Sequence, residues 1–245
     1  MSYTIQQLIN YAETFIEYQP LAVGTGNEPA ISTANMVQNT ILNPPFTWAF
    51  NRKVDSTTLV LEPGIQNYTI ALTDFGYLEK VATISPTDNS VFECKDVYNT
   101  LARGMADANT LKQGRPQACG VLAVTYGTNV TLRFMGVPDK AYAVELVYQK
   151  LPVPMTTLTG GTGTLAIPDQ FIDVFNNLFL GEAMAIADDA RANQYRARGV
   201  ASLITKSEGL DEMQINAFLE QFWARTGQNQ YRTASITQGS QARGV

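Results

Sequence analysis

The chain has 245 residues, 45% of them hydrophobic and only 16% charged, with a net charge of −5. That length and apolar share suit one large or two modest globular lobes and exclude a fibrous repeat or a wholly disordered chain. Histidine is absent, which removes Ser-His-Asp and Cys-His nucleophile systems together with the commonest metal ligand.

The polar share is carried mainly by Thr, Asn and Gln, a surface suited to lying against neighbours. No Lys/Arg run is present, so a tight grip on a nucleic-acid backbone is not expected. No apolar stretch approaches the ~18 residues of a membrane span. Met1 to Gln7 carries neither a basic nor an apolar signal region, so no signal peptide is expected. Cys94 and Cys119 fall short of a disulfide framework. They read as two half-buried thiols on strands of a protein made in a reducing compartment, with a bridge between them left open.

In chain order, Ile5, Leu8, Ile9, Ala12, Phe15 and Ile16 recur at helical spacing, with Thr4 as N-cap. A Gly-rich loop, Val23-Gly24-Thr25-Gly26-Asn27, follows. A second helix starts with Pro29 in its first turn, carries Ile31, Ala34, Val37 and Ile41 on one face, and stops at Pro44-Pro45.

From Phe46 the period changes to two. Tyr68, Ile70 and Leu72 alternate with Asn67, Thr69 and Ala71. Leu78, Ala82 and Ile84 mark another short strand, and Val91 to Cys94 a further one. Val121–Tyr126 and Val130–Met135 flank Gly127-Thr128, where glycine first in a two-residue loop predicts a type II′ hairpin. The next strand sets Tyr142, Val144, Leu146 and Tyr148 on one face. Short strands separated by turns predict an antiparallel sandwich or barrel.

Thr159-Gly160-Gly161-Thr162-Gly163-Thr164 reads as a flexible joint, since it lacks the Lys-Ser/Thr pair of a phosphate loop. Pro168 opens a long helical stretch with Asp169 in its first turn, on which Ile172, Phe175, Phe179, Ala183, Ile186 and Ala190 share a face. From Ala183 to Ala201 that face is mainly alanine, Gly181 or Gly199 is expected to bend it, and Gly209 to cap it. A last helix aligns Ile215, Phe218, Leu219 and Phe222, with Asp211 near its start. The tail beyond it holds Arg225, Arg232 and Arg243 with no acidic residue. Having no core of its own, it is expected to gain order by docking on a partner.

These elements predict an α+β chain. Residues 1–45 and 159–224 form a helical bundle, 46–158 an inserted antiparallel β-sandwich or barrel lobe, and 225–245 an extended tail.

The element order resembles the head-to-tail adaptor (connector) proteins of tailed bacteriophages, including the tail tubular protein A group. The residues that carry the resemblance are Thr47-Trp48-Ala49-Phe50-Asn51-Arg52, Gly114-Arg115-Pro116 before a hairpin, Val137-Pro138-Asp139-Lys140-Ala141-Tyr142-Ala143-Val144, and Ile167-Pro168-Asp169-Gln170-Phe171. The resemblance implies a structural virion protein of the neck, made in the host cytoplasm, that is not an enzyme and needs no cofactor. It implies a homo-oligomeric, twelvefold ring between the portal protein and a tail or nozzle protein. Double-stranded DNA would pass through its centre without specific binding. The expected portal contacts are Trp223, Arg225, Tyr231, Arg232 and Arg243, because Arg and aromatic residues are favoured at interfaces. The expected subunit contacts are Ala183, Ile186, Ala190 and Ala197 on the alanine-rich helix.

Other readings of single residues are plainer. Trp48 and Phe50 suit a core position where helices meet strands. Arg115 suits a turn with a surface ion pair. Asp188, Asp189 and Glu182 suit a mixed-charge helix face with Arg191, Arg196 and Arg198 rather than a metal cluster. A polymer hydrolase using paired carboxylates survives the absence of histidine, but no convincing pair is legible. A tail completion protein is the rival within the same virion.

Overall fold

The structure is a computed structural model and describes residues 3–16, 29–94, 113–159, 163–207 and 209–225. The described chain is mixed α+β, with five α-helices and two antiparallel sheets, neither closed into a barrel.

Helix α1, Ile5–Glu13, begins at the expected Thr4 with a reciprocal capping box. The Gln7 backbone N–H donates to Thr4 Oγ1 at 3.4 Å, and the Thr4 N–H donates to Gln7 Oε1 at 2.9 Å. These bonds satisfy two of the amides that a helix start leaves unpaired. Helix α2, Pro29–Leu42, buries Ala30, Ala34, Val37 and Ile41; Ile31 is only half-buried. The glycine-rich loop expected between these helices lies outside the described residues.

The strands are β1 Arg52–Asp55, β2 Asn67–Ile70, β3 Phe75–Ile84, β4 Val91–Glu93, β5 Ala118–Thr125, β6 Asn129–Met135 and β7 Ala143–Lys150. One sheet has the order β1-β7-β3-β4 and the other β2-β6-β5. Both feed one apolar cluster. Phe75, Val81, Val144, Leu146 and Tyr148 come from the first sheet, and Cys119, Val130, Leu132 and Phe134 from the second. The alternation expected along Tyr142, Val144, Leu146 and Tyr148 is present, with all four buried.

Two local expectations are corrected here. Strand β3 is long, not short, and a register shift between Leu78 and Lys80 changes its phase. An extra residue at a bulge swaps the faces. Val81 and Thr83 therefore point inward beyond it, and Ala82 and Ile84 are only half-buried. The β5–β6 connection has three residues, because Thr125 pairs with Asn129. Gly127, at φ 75°, takes the second central position of a turn closed by the Thr128 N–H on the Thr125 carbonyl at 3.0 Å. The turn is therefore not type II′, which puts glycine first.

The C-terminal stretch is likewise not one bent helix. A 3-10 turn, Asp169–Phe171, leads into α3, Ile172–Ile186; after a break come α4, Ala192–Lys206, and α5, Glu212–Arg225. The break falls at Asp188, whose φ is 54°, and at Asp189, whose Oδ1 accepts the Arg191 N–H at 2.8 Å. α3 and α4 fold back on each other, so the two glycines are contact points and not bends. A Cβ at Gly199 would lie 2.6 Å from Leu178 Cγ, and one at Gly181 would lie 2.8 Å from the Arg196 backbone nitrogen. Gly209, at φ 64°, stands just beyond the α4 cap Ser207. α5 opens with Asp211 and Gln214 capping each other at 2.7 and 3.1 Å.

The N- and C-terminal helices share a second apolar cluster that runs from Ile5 to Phe222. It also takes in Phe46, Trp48 and Met155, so the apolar side chains of the segments leaving and re-entering the helices pack with them. No helix among the described residues is long and apolar enough to cross a membrane.

Candidate interaction surfaces

The joint between helices and strands is built on Trp48. Its buried indole N–H donates to the Ile41 carbonyl at 2.7 Å, and its backbone N–H donates to Gln149 Oε1 at 3.2 Å. Its ring meets Phe50 at 5.6 Å and Phe171 at 5.2 Å between centroids. Gln149 is fully buried and passes the connection on, with Nε2 donating to Glu79 Oε2 at 2.8 Å. Glu79 in turn accepts two bonds from Arg52, at 2.9 and 2.6 Å. Burial alone would push the Glu79 carboxyl up, but Arg52 and Gln149 outweigh it and hold the group below its usual range. Polar atoms at this joint are thus paired, as burial requires. The joint ties the helices to the strands through this chain of bonds.

Arg115 clamps the strand region, and the surface ion pair expected for it is replaced by a different set of partners. Its guanidinium donates to Thr83 Oγ1 at 3.0 Å, to Ser90 Oγ at 2.9 Å and to the Ser90 carbonyl at 2.6 Å, and it also reaches the Thr83 carbonyl. It lies over the Phe92 and Tyr142 rings at 5.5 and 5.6 Å. The Tyr142 hydroxyl donates to Asp139 Oδ1 at 2.7 Å, which closes the Pro-Asp-x-x-Tyr segment on itself. Five donors in a planar fork suit this tying of several strands, a task that lysine could not perform.

Cys94 and Cys119 are free thiols and are fully buried rather than half-buried. Burial pushes the Cys94 thiol up to about 12 and the Cys119 thiol well above its ordinary value. Neither thiol has the lowered pKa of a reactive cysteine.

On the α3–α4 pair, Glu182 receives a two-pronged bond from Arg196 at 3.1 and 2.6 Å, with both side chains 11% exposed. Asp189 pairs with Arg191, and Asp173 accepts from Lys206 and from Ser202. Of the three acidic residues weighed as a metal cluster, Glu182 and Asp189 are therefore charge-paired. Among the described residues, no group of three Cys, Asp or Glu is placed to hold a metal.

Of the expected subunit contacts, Ala183 does not reach the surface. Ala183 is fully buried in the chain's own core, where it faces α3's neighbours rather than solvent. Ile186 is 52% exposed, Ala190 is exposed in the α3–α4 connection, and Ala197 is exposed on α4. Of the expected portal contacts, Trp223 is half-buried on α5, edge-on to Phe222 at 5.2 Å. Arg225 ends α5. Its side chain, together with Tyr231, Arg232 and Arg243, lies outside the described residues.

The sequence reading missed two depressions. A cleft of about 480 Å³ lies between β3 and the β5–β6 hairpin, lined by Phe75, Leu78, Val121 and Tyr126. A groove of about 680 Å³ separates α2 from α5, with Asn35, Asn39 and Thr40 on one wall and Phe218 and Phe222 on the other. The polar wall was legible as the Ser32, Asn35 and Asn39 side of α2. That α5 would stand across from it was not.

Compared with models of known protein families and with curated proteins, the chain matches none.

Proposed function

We propose that this chain is a subunit of the head-to-tail adaptor ring of a tailed-phage virion. In that role it is a structural part and not an enzyme, in a homo-oligomer matched to a twelvefold portal. Viral DNA passes through the centre. The observation that carries the reading is the pairing in space of the four segments that resemble the adaptor family. Trp48 and Phe50 of the first meet Phe171 of the last, each at 5.2 Å. Arg115 of the second stacks on Tyr142 of the third at 5.6 Å. Segments far apart in the chain thus form two joints.

The finer architecture belongs to the same proposal: a bundle of N- and C-terminal helices with a β-sandwich lobe inserted in it. Support comes from the two separate apolar clusters, one reaching from Ile5 to Phe222 and the other confined to Leu59 through Tyr148. The low charge and acidic balance of the chain would let DNA slide past, since phosphate contacts are replaced by repulsion.

The test is mass photometry of the purified protein, alone and mixed with a cognate portal. The expected result is a ring on the portal, lost when residues 225–245 are deleted while the helical circular dichroism stays intact. No affinity for the portal, with stacking on tail-tube proteins instead, would transfer the chain to the tail completion class. Normal attachment by the truncated protein would remove the tail from the portal contact.

A further inference from the structure

α5 is the least covered helix. Of its described side chains only Phe222 is buried, and Phe218, Leu219 and Trp223 are half-covered. Its outward side carries Met213, Ala217, Glu220 and Ala224, all exposed. Steps of four, three and four residues keep them on one helix face. α4 has an outward side with the same steps, Gln194, Arg198, Ala201 and Thr205, and these too are exposed.

The two faces differ in charge. α4 holds three basic residues, Arg196, Arg198 and Lys206, and no acidic one. Arg196 is spent on Glu182 and Lys206 on Asp173. Arg198 lies on the Tyr195 ring at 5.3 Å, and among the described residues it has no carboxylate partner. Glu220, on the α5 face, likewise has no basic partner among the described residues.

Resting on the ring reading above, we propose that α4 of one copy packs antiparallel against α5 of the next copy in the ring. Set antiparallel, the equal spacings bring all four pairs into register. Arg198 stands opposite Glu220, Ala201 opposite Ala217, Thr205 opposite Met213, and Gln194 opposite Ala224. Small residues face each other at the centre, so the helix axes approach closely. The long Met213 meets the short Thr205. A contact between two α4 faces or two α5 faces would instead set like charges together. The pairing is therefore between different faces, which is the kind of contact that closes a ring.

The experiment uses the full chain with Ala201→Cys and Ala217→Cys prepared separately. Each is oxidised alone and as a mixture, at high concentration and again on portals. Native Cys94 and Cys119 are buried and stay silent. The expected result is a disulfide-linked dimer in the mixture and none in either single variant. Arg198→Glu in the Ala201→Cys chain lowers the yield about fivefold, as losing one partly exposed pair should. Glu220→Arg in the partner restores it. A mixture that gives no cross-link, or single variants that cross-link to themselves, overturns the α4–α5 contact. Rings on portals without the cross-link remove this contact alone and leave the adaptor reading. The cross-link without portal binding leaves the contact and removes the adaptor reading.

Discussion

Replacing Gly181 by alanine separates two physical terms of opposite sign. In an ordinary exposed helix the change should stabilise, because alanine is favoured over glycine by about 1 kcal/mol. At Gly181 the added methyl carbon would stand 2.8 Å from the Arg196 backbone nitrogen and 3.1 Å from the Ala192 carbonyl oxygen. Both are backbone atoms, so no rotamer change relieves the contact and α3 and α4 must move apart. Overpacking of this kind costs about 1–3 kcal/mol. The shift also strains the Glu182–Arg196 pair at the neighbouring residue. With the propensity gain subtracted, the net loss should be about 0–2 kcal/mol. In a chain of this size that lowers Tm by up to about 8 °C. The assay is thermal unfolding followed at 222 nm, supported by a urea titration at constant m value. Ala201→Gly on the exposed side of α4 calibrates the propensity term alone and should cost about 1 kcal/mol. A Gly181→Ala variant stabilised by about 1 kcal/mol would refute the close backbone approach.

The remaining predictions concern charge and thiols. Glu182→Leu strands the Arg196 guanidinium, 11% exposed, and should cost about 3–5 kcal/mol in urea unfolding; adding Arg196→Met should recover most of it. Strictly additive effects would show that the two side chains are not coupled. Arg115→Lys keeps the charge but loses the fan of bonds to Thr83 and Ser90, and should cost about 1–3 kcal/mol. An unchanged urea midpoint would contradict that role. A thiol reagent at pH 8 should label neither cysteine in the native protein and both in denaturant, because the two are buried. The folded Cys94 thiol holds its proton up to about pH 12, whereas an unfolded thiol releases it near about 8.5. The contribution is therefore fully present below the unfolded value and lost as pH rises towards the folded one. Cys94→Ala should flatten the alkaline limb of the stability profile, and an unchanged limb would rule the thiol out as its source.

Helices α1 and α2 were legible almost residue by residue. Each presents its own apolar stripe and its own start signal, Thr4 in one and Pro29 in the other. The β7 alternation was legible for the same reason. β3 was not, since the bulge near Glu79 depends on how β7 pairs with it, and a pairing irregularity leaves no mark in one strand's own pattern. The break at Asp188–Asp189 was hidden behind a continuous helical period; it follows from α4 folding back on α3. The Cys94–Cys119 alternatives resolved to free thiols once the strands brought both into one core. The burial of Ala183 was not legible, because helical spacing says which residues share a side, not which side meets the chain's own core.

Composition, period and capping residues are local properties, and they determined by themselves that helices flank a central run of strands and that residues such as Trp48 and Tyr148 are buried. Partner choice among elements is non-local. The tertiary structure alone decided that Arg115 ties Thr83 to Ser90, that Gly181 and Gly199 lie between two helices, and that α5 keeps an exposed side carrying Glu220. A residue's own chain neighbours set its conformation, but the elements packed against it set what it touches and what it leaves exposed.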